Sequence, residues 1–488
     1  MMASTVLKFA LLSRVLTFCL QVFFNWLLVD HSADAFRLRP LKDPTDGDKL
    51  VHFLLEGFNK WDGSYYLTIA EDGYSQPQMF VFFPFFPALV RGVASVIAIG
   101  TGSIISFRSS LMISSWFINT ILFILAGNQV YGLGQKILKD DKMAFAAAVL
   151  FCINPASVFM SASYSEALFC FLTFWGMLAF QDQSFILSAL LFGLSAASRS
   201  NGIVSFGFLI YFWTQQQIRT TLINLTAGKT NIYLYVILQS LKTALILLGF
   251  AVFIFGPFVM FQLYSFAEIC HSQKFDFPSK FFQYILPVNG AVNTIPSSKE
   301  PDWCQKTLPL PYSNIQSDVW EVGFFNYFQL RKIPNFILAT PVIVLSVQAI
   351  SVYMKQNWEF VKWLGFLPQR KTWDKYAKNQ GFFNEESFVY LAHLGFLLLF
   401  GVFVMHIEVI TRFLFSSCPI ILMFAAHVVT SGPKSGLLKA QLPESIMGVI
   451  RVIFEWFQTG PWAKFVIIYF IVYFILGIIL HCNFLPWT

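Results

Sequence analysis

The chain has 488 residues, of which 56% are hydrophobic, 18% aromatic and only 12% charged, with 58 phenylalanines. That usage, with a mean hydropathy of +0.62, excludes an ordinary soluble domain and predicts an all-α polytopic membrane protein. The net charge of +7 is spread through polar loops rather than gathered in a block, so it reads as an orientation signal and excludes a nucleic-acid-binding arm.

Apolar runs long enough to cross ~30 Å of hydrocarbon are predicted near residues 9–29, 109–132, 143–160, 164–181, 241–264, 333–353, 386–405, 413–430 and 463–482. Two shorter runs, 184–197 and 202–214, flank the polar knot Ser198 Arg199 Ser200 Asn201 and read as two short spans or one broken helix. The total is about 11 spans. The first run follows only Lys8, carries Asn25 and Trp26 and has no small-residue cleavage pattern behind it, so it is expected to be an uncleaved signal anchor. The segment 80–100, opening Phe80 Val81 Phe82 Phe83 Pro84 Phe85 Phe86 Pro87, is apolar enough to count as a span. Its paired prolines and Arg91 suit a helix lying in the interface better.

With the N-terminus cytosolic and 80–100 interfacial, the basic loops 133–142, 215–230, 354–385 and 431–462, with Lys434, Lys439 and Arg451, fall in the cytosol. The opposite face collects the first loop 30–108, the turns at 161–163 and 198–201, the long loop 265–332 and the polar turn His406 to Arg412. The whole chain, 1–488, then forms one polytopic membrane domain whose polar clusters share one side.

The run Asn59 Lys60 Trp61 Asp62 Gly63 Ser64 Tyr65 Tyr66 places a carboxylate among aromatic rings just outside a span. A carboxylate there can take a proton from a sugar hydroxyl while apolar spans hold a lipid. The structural alternative is a turn or helix-cap aspartate. Glu166, opening an apolar run, favours a helix dipole whether or not it meets substrate. Arg199 is costly at membrane depth unless it meets a phosphate or pairs with a carboxylate such as Glu166. Arg412 and Glu408 stand four residues apart, the spacing of an intrahelical ion pair. Lys60 either steers an anion or snorkels toward headgroups. Seven scattered cysteines give no zinc pattern, and no His and Asp cluster calls for a divalent ion, so neither a metal nor another cofactor is expected. Cys270 and Cys304 share the same face and are either disulfide-bonded or free. Walker, Rossmann, nucleophile-elbow and His-Glu-x-x-His motifs are missing, so a glycosyltransferase of this build would draw on a lipid-linked donor.

Trp61 Asp62 with Ile69 Ala70 Glu71 Asp72 Gly73 Tyr74, then Phe82 Phe83 Pro84 to Pro87, resembles the first lumenal loop of the GPI mannosyltransferase 2 (PIG-V) family. Similar to the same family, in order, are Ala33 Asp34 Ala35 Phe36, the run Asn154 Pro155 Ala156 to Tyr164 Ser165 Glu166 Ala167 Leu168 Phe169, and Arg199 Ser200 Asn201 Gly202. Trp303 Cys304, Val322 Gly323 to Ile333 Pro334 Asn335 Phe336 and Thr411 Arg412 Phe413 Leu414 continue the likeness. Two departures are Glu408, where a glutamine is expected, and Ile420 Ile421 in place of an aromatic pair.

This resemblance implies the GT-C glycosyltransferase fold, with lumenal interfacial helices, in a multi-pass protein of the endoplasmic-reticulum membrane with a lumenal active site. It implies transfer of the second mannose, through an α1,6 linkage, from dolichyl-phosphate mannose to a mannosyl-glucosaminyl-phosphatidylinositol acceptor. Asp62 is then the expected general base. Lys60, Trp61, Tyr65, Tyr164, Glu166, Arg199, Asn201 and Arg412 are the expected substrate-binding residues. Membrane lipids surround the protein, and a small membrane subunit is a further candidate partner. Another dolichyl-phosphate-sugar-dependent enzyme of the GT-C class, acting for example on an N-glycan precursor, is the nearest alternative. A transporter or scramblase would want a second broken helix in a matching half, and only the 198–201 break is found.

Overall fold

The computed structural model describes residues 2–227, 232–270, 276–287, 301–366, 381–431 and 443–487. Lys434 and Lys439, expected in a cytosolic loop, lie outside these residues.

The described residues are helical throughout their regular structure. In chain order the helices are α1 (Met2–Leu27), α2 (Asp46–Leu55), α3 (Asp62–Asp72), α4 (Phe85–Thr101), α5 (Phe107–Leu138), α6 (Asp141–Cys152), α7 (Glu166–Gln181), α8 (Phe185–Ser198), α9 (Phe206–Thr226) and α10 (Ile232–Ile269). They continue as α11 (Asp276–Ile285), α12 (Pro311–Trp320), α13 (Ile333–Gln356), α14 (Trp358–Lys362), α15 (Ser387–Phe403), α16 (Ile410–Ser417), α17 (Pro419–Thr430), α18 (Ile446–Phe457) and α19 (Pro461–Cys482).

Five of these are long and apolar enough to cross a membrane unaided: α1, α5, α10, α13 and α19. A sixth span can be formed by α16 and α17, which bend by 82° at Cys418 where Pro419 opens the second helix. Helices α4, α7, α8 and α15 are apolar but shorter. The long α5 is the hub, packed against α1, α4, α6 and α7, while α8 joins α7 to α10 and α17 packs on α6. Where these meet, Ala144 to Cys152 and Ile420 to Met423 are essentially solvent-free. The exposed leucines and valines of α10, by contrast, form a lipid-facing surface.

One of the expected spans has a different local structure, and one expected break is found. The run 143–160 is not one helix: α6 stops at Cys152, and a turn leads into a short 3₁₀ helix, Ser157–Met160. Asn154 and Pro155 cause the stop. The Asn154 amide donates to the Phe151 carbonyl (2.7 Å) and its Oδ1 accepts from the Ala156 amide (2.8 Å), offering the backbone an alternative to helix. At the second site, the expected break at 198–201 is present. Arg199 is extended between α8 and a 3₁₀ helix, Ser200–Ser205. The turn is so tight that a Cβ on Gly202 would come within 2.4 Å of the Ala196 nitrogen.

The segment 80–100 folds as the 17-residue α4, capped by Pro84 and packed on α3 and α5, with Val96 and Ile99 exposed. Cys270 and Cys304 form a disulfide that ties the end of α10 to the loop before α12.

Candidate active site

The segment before α3 is shaped to present one carboxylate. A 3₁₀ turn, Glu56–Phe58, leads to Asn59, whose amide donates to the Leu55 carbonyl (2.9 Å) and whose carbonyl accepts from the Ser64 hydroxyl (2.8 Å). Trp61 then takes φ 55° and ψ −127°, a conformation that a residue with a bulky side chain adopts only when its surroundings hold it. The consequence is that Asp62 becomes the first residue of α3, where the helix dipole favours its negative charge. The Asp62 amide donates to the Tyr164 hydroxyl (3.1 Å), which fixes the start of α3 against the segment before α7.

Four charged side chains from four distant elements converge there. Arg412 Nη1, on α16, donates to Asp62 Oδ2 at 2.8 Å and to Glu166 Oε1 at 3.2 Å. Arg199 Nη1 reaches the same Glu166 oxygen at 2.6 Å. Two carboxylates therefore face two guanidinium groups, and the cluster is neutral as a whole. Exposure is graded within it: Glu166 is fully buried, Arg412 is 9% exposed, Arg199 18% and Asp62 32%. Glu166 Oε2 and Arg412 Nε are buried without a hydrogen-bond partner. Asp62 is thus the acid that a ligand can reach, and Glu166 is the buried counter-charge that keeps both arginines in place.

The aromatic surroundings are also assembled from a distance. The Arg412 guanidinium lies over the rings of Phe159 and Tyr164, at 5.1 and 5.3 Å. Tyr66, one of the aromatic neighbours expected to wall Asp62 off from water, holds Ser165 Oγ at 2.7 Å just before Glu166. Burial, with help from the Glu166 and Asp62 charges and against Arg199, pushes the Tyr66 phenol above its ordinary range, so it stays a neutral hydroxyl. His481 at the end of α19 is fully buried against Tyr164, with ring centroids 5.5 Å apart.

Several expected residues have other tasks. The Lys60 ammonium does not reach toward open solvent. It is 3% exposed and held by Asp30 (2.7 Å) and Glu56 (2.8 Å), because two carboxylates within reach outbid open solvent for a buried charge. Tyr65 stacks on Phe36 and Phe82, with centroids 4.3 and 4.7 Å away, and Trp61 packs edge-on against Phe484. Asn201 donates to Ser417 Oγ (3.0 Å), joining the 199–202 turn to α16.

The expected Glu408–Arg412 ion pair is not formed. Glu408 sits in a 3₁₀ turn, Ile407–Val409, ahead of α16, so the helical four-residue spacing does not apply. Its Oε2 accepts from the Tyr327 hydroxyl (2.9 Å) and the Asn335 amide (2.8 Å), and Oε1 faces His406 at 3.6 Å. Arg412 is thereby left to Asp62 and Glu166. Among the described residues no three His, Cys, Asp or Glu side chains group as a metal site.

Such a site, with a reachable carboxylate beside a neutralised arginine pair, lies among the helices of a polytopic membrane protein. The chain belongs to the mannosyltransferase (PIG-V) family, which it matches over residues 3–488. It is 37% identical to the GPI alpha-1,6-mannosyltransferase 2 of Cricetulus griseus and 36% identical to that of Homo sapiens, covering 99% of this chain and 98% of each relative. The GPI mannosyltransferase 2 of Schizosaccharomyces pombe is 24% identical over 93% of this chain and 82% of its own. Among solved structures, the chain is similar to an archaeal oligosaccharyltransferase from Archaeoglobus fulgidus in complex with an inhibitory peptide and a dolichol-phosphate, with TM-score 0.46 and 13% identity. That similarity covers 96% of this chain and 56% of the other, so this protein spans about half the length of the structures it matches.

Proposed function

We propose that this protein transfers the second mannose, through an α1,6 linkage, from dolichyl-phosphate mannose to the glycosylphosphatidylinositol precursor at the lumenal face of the endoplasmic-reticulum membrane, using the GT-C architecture. Membership of the mannosyltransferase (PIG-V) family supplies the reaction class. The observation that carries the residue assignment is the Asp62–Arg412–Glu166–Arg199 cluster, in which one carboxylate remains reachable.

In this reading Asp62 is the general base. Its carboxylate takes the proton from the acceptor hydroxyl as that oxygen forms a bond to C1 of the mannose. The bond from C1 to the phosphate oxygen breaks on the opposite face, so the β-linked donor gives an α-linked product. Dolichyl phosphate leaves with the bonding electrons and needs no proton. Arg199 and Arg412 supply the positive charge facing the leaving oxygen anions, where low dielectric makes that charge effective. Glu166 keeps the two guanidinium groups gathered before the donor arrives. Because Arg412 also holds Asp62 Oδ2, a donor phosphate that draws Arg412 toward itself releases the base.

Lipid analysis of cells lacking the protein tests the assignment. Loss should accumulate the precursor carrying one mannose and remove GPI-anchored proteins from the surface. A truncated N-glycan precursor with normal anchors would instead assign the enzyme to another glycan. Normal glycans with a defect in moving a solute or lipid would assign it to transport.

A further inference from the structure

Arg14 is a charged side chain in the middle of α1, about 18 Å along a helix that starts at Met2. It is 1% exposed, and no carboxylate interacts with it among the described residues. Its charge is met by dipoles instead. Nη1 donates to the Ser157 carbonyl (2.9 Å) and to Ser161 Oγ (2.8 Å). Nη2 donates to Ser13 Oγ (3.0 Å) and to Ser157 Oγ. Ser13 in turn donates to the carbonyl of Cys152, the last residue of α6, so the cation sits at the negative end of that helix. The guanidinium also lies over the Phe123 ring at 3.6 Å.

Its direct partners outside α1 and α5, Ser157 and Ser161, belong to the stretch between α6 and α7. That stretch, a turn and a 3₁₀ helix, interrupts the expected span, and such backbone is tolerated at membrane depth only where protein groups satisfy it. Its far end is gripped separately. Asn119 of α5 donates to the carbonyls of Ala162 (2.5 Å) and Tyr164 (2.9 Å), and the Ser163 amide donates to the Phe58 carbonyl (3.0 Å). Directly after these anchors come Tyr164, on the Asp62 amide, and Glu166, under both arginines.

We propose that Arg14 is a positioning residue for mannosyl transfer, the buried cation that holds residues 153–163 in the turn and 3₁₀ path that delivers Tyr164 and Glu166 to the site. Removing the cation leaves two hydroxyls and a carbonyl of this stretch unpaired in an apolar interior, and residues 153–163 then shift once the contacts that fix their path are gone, while Asn154 and Pro155 still end α6. Such a shift rotates Glu166 away from the arginines without touching any substrate-contacting residue. Lysine can replace only part of the interaction, because one ammonium cannot span four acceptors as a planar fork does.

The proposal rests on the reaction assigned above, and its test is chosen to separate the two. Full-length wild type, Arg14→Lys and Arg14→Met are purified and compared by mannosyl transfer per folded molecule and by hydrogen–deuterium exchange. The expected result is that Arg14→Met lowers kcat by about 10²-fold, that Arg14→Lys recovers part of it, and that faster exchange is confined to residues 153–166. In a Tyr164→Phe background the Arg14→Met loss should be much smaller than in wild type, since both act through one element. If Arg14→Met proves unstable, Ser157→Ala with Ser161→Ala removes two of the four contacts, those to Ser157 Oγ and Ser161 Oγ, with the charge left in place and should give a weaker exchange increase in the same residues. Wild-type kcat in Arg14→Met, or exchange that rises evenly across the bundle, overturns the proposal. A wild-type enzyme inactive on the lipid-linked donor overturns the assigned reaction, while the exchange pattern still reads the role of Arg14.

Discussion

Arg412 and Asp62 lie 350 residues apart in the chain and meet at 2.8 Å in the site. This contact joins the bent α16–α17 pair to the head of α3, so the reachable carboxylate and its cation are set by the packing of two remote elements. Arg412→Lys should keep charge but lose simultaneous contact with Asp62 and Glu166, since a single ammonium cannot replace the fork. Transfer by purified Arg412→Lys is expected to fall by at least about 10-fold, with a larger loss for Arg412→Gln. Steady-state rates on the lipid-linked donor check this order.

Glu166 is fully buried and answers two guanidinium groups. Glu166→Gln leaves a net positive charge on two largely buried arginines, 9% and 18% exposed, which should cost about 3 kcal/mol. Thermal unfolding in detergent should show a clear drop in midpoint. Asp62→Asn, at a site open to water, should shift the midpoint far less.

A pH dependence is built into the start of α2. Burial raises the Asp48 carboxyl, but hydrogen bonds from Ser109, Ser106 and Thr45 prevail and hold it well below the usual carboxylate range. A depressed folded value means that the stabilisation is complete above the unfolded value, about 4, and is lost as pH falls through the folded value. Asp48→Asn should therefore cost about 1–3 kcal/mol at pH 7, and the gap between wild type and variant should narrow below pH ~4. Unfolding midpoints across pH measure it.

Much of this was legible because it is local. Trp61 and Asp62 announce themselves as a polar insert beside apolar runs, and the 198–201 break follows from four polar residues between two short apolar stretches. What failed depended on a local turn or on a remote partner. The four-residue spacing of Glu408 and Arg412 suggests an ion pair only if both lie on one helix, and the 3₁₀ turn at Ile407–Val409 removes that premise. Lys60 could not be assigned without knowing that Asp30 returns beside it. The 143–160 run hides a break whose signal, Asn154 Pro155, was present but outweighed by hydrophobicity. Arg14, a charge at mid-span, is itself a sequence signal for a functional or positioning role.

The sequon Asn224 Leu225 Thr226 lies at the end of α9, with Asn224 buried inside the helix. On the proposed topology it faces the cytosol, so it should carry no glycan. A glycosidase-sensitive mass shift abolished by Asn224→Gln would reverse the orientation of α9 and with it the interfacial reading of residues 80–100.

The central claim is that Asp62 is the base of a lipid-donor mannosyl transfer, and rates of the purified wild type and Asp62→Asn on dolichyl-phosphate mannose with the one-mannose precursor test it most directly. Wild type should transfer mannose from this donor and not from GDP-mannose, and well-folded Asp62→Asn should lose about 10²-fold or more in kcat. Near-normal turnover by Asp62→Asn, or transfer from GDP-mannose alone, would contradict the account.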